Sequence, residues 1–199
     1  MNIQYTLTFF SEWHCGSGLA AGADVDALVV KNSAGMPYVP GKTIKGLVRE
    51  AVETLLALRN ETDACRALFV EAFGNAADSD WDMLGHLTAD KMRRGAAFFS
   101  NAELSASLQR ELAAEGLESY LFRAVASTAL DEEGIALDHS LRRMQTVIPC
   151  ELTGSITDVP CELVPVLTDA LRLIKRLGQN RNRGLGRCEF KVIGGASHD

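Results

Sequence analysis

Three groups of residues in this sequence have types and spacings that could do chemistry. In "GADVDALVV", residues 22–30, Asp24 and Asp26 flank Val25, so an extended backbone points both carboxylates the same way. A carboxylate just after a flexible loop is most often a turn cap, and catalysis is the lesser alternative that spacing leaves open. His14, beside Cys15, suits a general base, a metal ligand or a plain hydrogen-bonding residue. A Cys15–His14 nucleophile pair would also need an orienting partner, which sequence does not place. The third group is "MPYVPGKTIKG", residues 36–46, which contains the Gly-Lys-Thr that closes a nucleotide-binding P-loop.

The P-loop reading fails on its own requirements. The motif G-x-x-x-x-G-K-[ST] needs an early glycine so that successive N–H groups turn toward phosphates. Met36 occupies that position, and Pro37 and Pro40 stiffen the segment and remove donors. The better account starts a helix here. Lys42, Lys45 and Arg49 are three and four residues apart, hence on one face near a helix N-terminus that favours anions. Such a face grips a phosphate backbone without hydrolysing a nucleotide, or is merely solvated. A second basic segment, "GQNRNRGLGR" at 178–187, sets three glycines among three arginines, which suits phosphate or sugar contacts through guanidinium groups and free backbone N–H groups.

These groups sit in a chain of 199 residues, 47% hydrophobic and 23% charged, which is the composition of one globular domain spanning 1–199. The net charge of −6 argues against an autonomous nucleic-acid binder, but the charge is segregated. Seven basic residues and one acid, Glu189, lie between Arg172 and Lys191, whereas acids concentrate at 50–82 and 103–138. The two basic segments could form one positive face. Five cysteines, an odd number without a C-x-x-C pair, point to reduced and mostly buried thiols. With no apolar run near the ~20 residues that cross a bilayer and no basic leader, a cytoplasmic protein without a membrane partner is expected.

The elements that must position these residues follow from periodicity. Ile3, Tyr5, Leu7 and Phe9 alternate with polar residues and predict a half-buried strand. "HCGSGLAAGAD" is a glycine-rich loop, and "VDALVV" reads as a second short strand. Ile44, Leu47, Val48, Val52, Leu55 and Leu56 predict a helix from Thr43, its N-cap, to about Leu58. A further helix at 62–73 stops at "FGN", where Gly74 and Asn75 suit a left-handed cap. "GAAFFSNAEL" and "TVIPCELTGSI" read as strands, and "DEEGI" as a hairpin tip. A helix from Glu162 to Leu177, with Pro165 in its first turn, precedes the terminal strand "CEFKVI". The order predicts an α+β fold of the ferredoxin-like or RRM-like kind with a helical insertion.

Taken together, "CGSG", "DVDALVVKNSAGMPYVPGKTIKGLVRE", "FGN", "GAAFFSNAEL" and "GQNRNRGLGR" resemble the CRISPR-associated RAMP superfamily, specifically the backbone subunit of type III (Csm/Cmr) effector complexes. The run "PYVPGKTIKGLVR" is the most specific of these. The resemblance implies a core of about 1–60 and 148–194, an insertion of about 61–122, and a β-hairpin thumb of about 123–148. It implies copies of the chain stacked in a helical filament on guide RNA, with other CRISPR effector subunits, and a thumb wedging into the guide–target duplex. Guide and target RNA would be held by Gly16, Gly18, Lys42, Lys45, Arg49, Arg142, Arg143, Arg181, Arg183, Gly184 and Gly186. Target RNA would be cut by Asp26, with Asp24 as the fallback, using Mg²⁺ or another divalent cation held by Asp26. Two alternatives stand beside this: a backbone subunit that holds RNA without cutting, and a guide-processing endoribonuclease with His14 as general base.

Overall fold

The alternating Ile3, Tyr5, Leu7 and Phe9 are all buried, along the strand β1 (Asn2–Phe9) that their periodicity predicts. The computed structural model describes residues 1–22, 24–59, 63–74 and 94–196. In chain order the other elements are β2 (Tyr38–Val39), α1 (Gly41–Arg59), α2 (Asp63–Phe73), β3 (Phe98–Phe99), β4 (Ala102–Glu103), α3 (Ala106–Glu115), β5 (Phe122–Ser127), β6 (Arg142–Val147), β7 (Glu151–Thr157), α4 (Val164–Leu173) and β8 (Cys188–Ala196).

The main sheet runs β2-β4-β7-β1-β8, with β3 also on β7, and its named strand pairs are antiparallel. Taking β1, α1, β4, β7, α4 and β8 in order gives βαββαβ with the first and third strands central, the ferredoxin-like α+β arrangement expected. Ile3 lies opposite Ile156, and Leu7 opposite Leu152. Ile44, Val48, Val52, Leu55 and Leu56 of α1 and Val166, Leu167, Ala170 and Leu171 of α4 join them in one core. Gly154 has a packing reason for lacking a side chain: it faces Tyr5, and a Cβ there would lie 2.4 Å from Tyr5 Oη.

Several boundaries differ from expectation. Helix α1 begins at Gly41, not after Thr43: the Thr43 and Ile44 N–H groups already donate to Pro40 O at 2.9 and 3.2 Å. Its cap comes from outside the helix, where Asn101 Oδ1 accepts from the Gly41 N–H at 3.0 Å. Helix α4 stops at Leu173 instead of reaching Leu177, because Arg176 bridges to Arg187 and the Leu177 N–H donates to Gly186 O. "VDALVV" is not a strand but an extended segment held by isolated bridges, Gly16 to Val29, Ala21 to Val25 and Ala27 to Met144. "GAAFFSNAEL" divides into β3 and β4, and "TVIPCELTGSI" divides around Pro149 into the end of β6 and the start of β7. Helix α2 ends at Phe73 with Gly74 at φ +81°, as its cap predicts; Asn75 lies outside the described residues. All five thiols are free, but only Cys15 and Cys188 are buried, fewer than expected, and Cys161 is exposed.

Strands β5 and β6 pair as a separate two-stranded sheet, from Phe122 opposite Val147 to Ser127 opposite Arg142. This is the expected thumb hairpin. At its tip the turn Asp131–Gly134 is closed by Asp131 Oδ1, which accepts from the Glu133 and Ile135 N–H groups at 3.0 and 2.8 Å.

Candidate functional site

The root of the hairpin gathers most of the residues singled out by their chemistry. Strand β6 has β5 along one edge. Along the other lie two pieces of the glycine-rich connection: Trp13, which exchanges both backbone hydrogen bonds with Val147, and Asp26–Ala27. Asp26 donates its backbone N–H to Arg143 O at 2.8 Å, and its Oδ2 accepts from the Arg143 N–H at 2.7 Å. The carboxylate thus mimics a strand partner and is oriented by its own backbone. Its side chain remains exposed, and Oδ2 is the one oxygen engaged among the described residues. Asp24 is also exposed, in a tight turn where its N–H donates to Ala21 O at 3.2 Å, and it does not join β6. Arg142 and Arg143 are both exposed at the start of β6, on opposite faces of the hairpin.

His14 lies directly beneath. It is fully buried, and its Nδ1 is 2.6 Å from Gln145 O. A carbonyl only accepts, so Nδ1 carries the proton. Nε2 is buried without a hydrogen-bond partner among the described residues. Of its three sequence roles, the hydrogen-bonding one is what this geometry supplies, since neither ring nitrogen reaches solvent. Cys15 is no activated nucleophile: burial first, and the nearby Cys188 second, push its thiol up to about 12.

The loop 178–187 closes over His14 from the other side. The Gln179 N–H donates to His14 O at 2.9 Å, and the Gly186 N–H to Glu12 O at 2.8 Å. Gly178 has φ +100° and a Cβ there would lie 2.5 Å from His14 O; at Gly186, φ +69°, it would lie 1.9 Å from Leu177 O. These two glycines therefore serve close approach within the chain, and the N–H groups of Gln179, Arg183 and Gly186, expected to be free, are used internally. Around Gly18 and Gly184 the space is open, and Arg181 and Arg183 project from an exposed single turn. Gly16 packs near the His14 ring, its missing Cβ 3.1 Å from Nε2. The two glycine-rich segments, far apart in sequence, thus meet at the hairpin root.

The basic face of α1 is elsewhere. Lys42 and Lys45 line a groove of about 360 Å³ with Arg94 and residues 95–99, whereas Arg176 and Arg181 border the side of α1 that carries Leu47, Glu50 and Thr54. The two basic segments therefore lie on different sides of α1 and do not form the single positive face expected. Lys42 is exposed. Lys45 donates from Nζ to Ala97 O at 3.0 Å, and its pKa is lowered by burial first, then by Arg49 and Arg94. Arg49 pairs with Glu53 at 3.0 Å. The Gly41 N–H, which a phosphate cradle would need free, is spent on Asn101 Oδ1.

Three residues at the root carried no signal in the sequence. Glu12 Oε1 accepts from Arg123 Nη1 at 3.0 Å, and its Oε2 accepts from the buried Thr146 hydroxyl at 2.8 Å, so one carboxylate spans both thumb strands. Gln145 accepts the Val29 N–H on its side-chain Oε1 at 3.2 Å. Among the described residues no group of three or more His, Cys, Asp or Glu could hold a metal ion. Asp26 fits a cation only as a single carboxylate completed by phosphate oxygens and water, a common way of holding Mg²⁺. Nor is any described helix long and apolar enough to cross a membrane.

A family model described as the RAMP superfamily matches residues 6–189. No curated protein matches the sequence. Among solved structures, a chain in the cryo-EM structure of type III-B Cmr-beta bound to cognate target RNA aligns with a TM-score of 0.67 at 10% identity, covering 97% of each chain. A chain in the structure of the apo state of type III-B Cmr-beta aligns with a TM-score of 0.65 at 11% identity, again over 97% of both. At such identities these likenesses speak for the fold.

Proposed function

This chain belongs to the RAMP superfamily, and on that premise we propose that it is a guide-RNA-binding backbone subunit of a type III CRISPR effector complex that cleaves complementary target RNA, with Asp26 as the cleavage residue. Its partners are then guide RNA, target RNA, further copies of itself and other effector subunits. The supporting observation is the exposed Asp26 carboxylate, oriented by two hydrogen bonds to the root of an arginine-bearing hairpin.

RNA supplies its own nucleophile, so a single carboxylate is enough. The 2′-OH releases its proton to solvent as its oxygen bonds to the adjacent phosphorus, the P–O5′ bond breaks to leave a 2′,3′-cyclic phosphate, and the leaving oxygen takes up a proton from solvent. Asp26 Oδ2 is occupied by the Arg143 N–H, which leaves Oδ1 to accept the hydrogen of the 2′-OH and align it for in-line attack. A divalent cation bound at this carboxylate would supply charge stabilisation at the phosphate. Arg142, Arg143, Arg181 and Arg183 hold the RNA backbone around the root, with Gly16, Gly18, Gly184 and Gly186 shaping the loops beside them, and Lys42, next to Lys45 and Arg49, makes a separate contact from the other side of α1.

The test is Asp26→Asn in a reconstituted complex loaded with guide RNA. Asparagine keeps an acceptor for the Arg143 N–H, so fold and guide binding should persist while cleavage of a matched target in Mg²⁺ is abolished. Unchanged cutting would defeat the assignment. One observation favours the non-cutting alternative: the Asp26 carboxylate already has a structural task, pairing with Arg143. In that case Asp26→Asn and wild type would be equally inert toward target RNA.

A further inference from the structure

Asp26 is not carried by a strand of the core. Residues 24–30 form no strand of the core sheet; the buried Val29 and the Val30 N–H bond to Cys15 O anchor their far end, and Asp26 itself is held to β6 by its two bonds to Arg143. Gln145, on β6 two residues from Arg143, touches both segments flanking that strand. Its backbone N–H donates to Ala27 O at 2.9 Å, its backbone carbonyl accepts from His14 Nδ1 at 2.6 Å, and its side-chain Oε1 accepts from the Val29 N–H at 3.2 Å. Asp26 thus lies between the Arg143 contact and two Gln145 contacts on the next three residues. Glu12, bonded to Arg123 and Thr146, fixes β6 to β5 from the core side.

We propose that Gln145 is a positioning residue: its side chain ties the Asp26 segment to the thumb strand, so that the thumb sets where the carboxylate meets the RNA. This rests on Asp26 being the cleavage residue. The side-chain bond is the separable part. The backbone bonds of Gln145 survive substitution, whereas the Val29 N–H depends on an acceptor at the end of a side chain of this length. Losing that acceptor leaves the Val29 N–H unpaired and loosens the stretch between the buried Val29 and Asp26 against β6. Displacements of an ångström at a reacting group cost roughly tenfold to a hundredfold in rate.

The experiment compares Gln145→Met, which keeps length without an acceptor, Gln145→Glu, whose carboxylate oxygen still accepts from the Val29 N–H, and Asp26→Asn, each in the guide-loaded complex. Single-turnover cleavage of a matched target is followed, with products resolved to one nucleotide. Gln145→Met should cut roughly tenfold to a hundredfold more slowly and at more than one phosphodiester, with guide and target affinities within about twofold of wild type. Gln145→Glu should restore both the rate and the single cut, which a merely destabilised thumb would not show. If Gln145→Met cuts at the wild-type rate and position while Asp26→Asn is inactive, the positioning role is overturned and the Asp26 assignment stands. An active Asp26→Asn overturns both. Should Gln145→Met fail to assemble, Gln145→Asn, whose amide is one methylene short, is held to the same criteria.

Discussion

Replacing Gly41 by alanine tests what the glycine of "PGKT" is for. A Cβ at Gly41 would lie 2.1 Å from Phe99 O and 2.9 Å from both Phe99 C and Ser100 O. Ordinary C···O contacts are about 3.3 Å or longer, so helix and crossing backbone must separate by about an ångström. Neither side gives easily. The Ser100 N–H is bonded to Ser155 O at 3.0 Å in the sheet, and Asn101 caps Gly41 from the same turn. Forcing buried backbone apart costs about 2–4 kcal/mol, and at roughly 2–4 °C per kcal/mol for a chain of this size the melting temperature should fall by about 5–15 °C. Gly46, exposed in the same helix with nothing within 4 Å of a Cβ, is the internal control. Gly46→Ala should gain about 0.5–1 kcal/mol from helix propensity. Urea unfolding followed by far-ultraviolet circular dichroism reads both. A Gly41→Ala protein that melts within about 1 °C of wild type would refute the packing account and return this glycine to the pool of ligand-facing candidates.

Other perturbations have equally direct readouts. Gly186→Ala, at φ +69° with its Cβ 1.9 Å from Leu177 O, should lower stability by about 2–4 kcal/mol in the same urea assay. Burial raises the thiols of Cys15 and Cys188 to about 12 and of Cys150 to about 11 from an ordinary 9. Raised acids bind more protons in the folded state, so their contribution is intact below pH 9 and is lost as pH climbs toward 11–12; melting temperature should fall across that window, less steeply in Cys15→Ala. A thiol-specific chromogenic reagent at neutral pH should label the exposed Cys161 at once, and Cys15 and Cys188 only after unfolding. Lys42→Ala should weaken RNA binding by the assembled complex and flatten the log affinity against log salt slope by about 0.7–0.9, as one lost phosphate contact requires.

The parts of the fold legible in the sequence are those whose signal is local. Alternation in β1 and the helical stripe of α1 each place a buried face by period alone, and both faces are where the period puts them. What failed to read was set by distant chain. Thr43 looks like an N-cap because it is a hydroxyl before an apolar run, yet the cap is Asn101, sixty residues away. The periodicity of α4 continues through Ile174 and Leu177, and both are indeed buried. They are buried in extended chain because the loop at 186–187 competes for their backbone, and no hydropathy pattern distinguishes that from one more helical turn.

The site divides along the same line. The aspartate pair, the glycine-rich loop and the arginine loop could be singled out by residue type, and Asp26 over Asp24 only by the family resemblance, but nothing in the spacing shows that residues 12–18, 24–29, 143–146 and 178–187 converge. Each pairing there is a single bridge or a single side chain, too short to leave a period-2 signature. The convergence also changes what the glycines mean. In "GQNRNRGLGR" their density suggested open backbone awaiting a ligand, yet Gly178 and Gly186 are filled by His14 O and Leu177 O. The Gly178–Gln179 end of the loop holds the buried histidine, which holds Gln145, which holds the segment that carries Asp26. A substitution at Gly178 should therefore be felt at the Asp26 carboxylate. Gly178→Ala should slow target cleavage more than it weakens guide binding, and equal losses in the two assays would show that Gly178 acts through the RNA-holding arginines of its loop and not through His14.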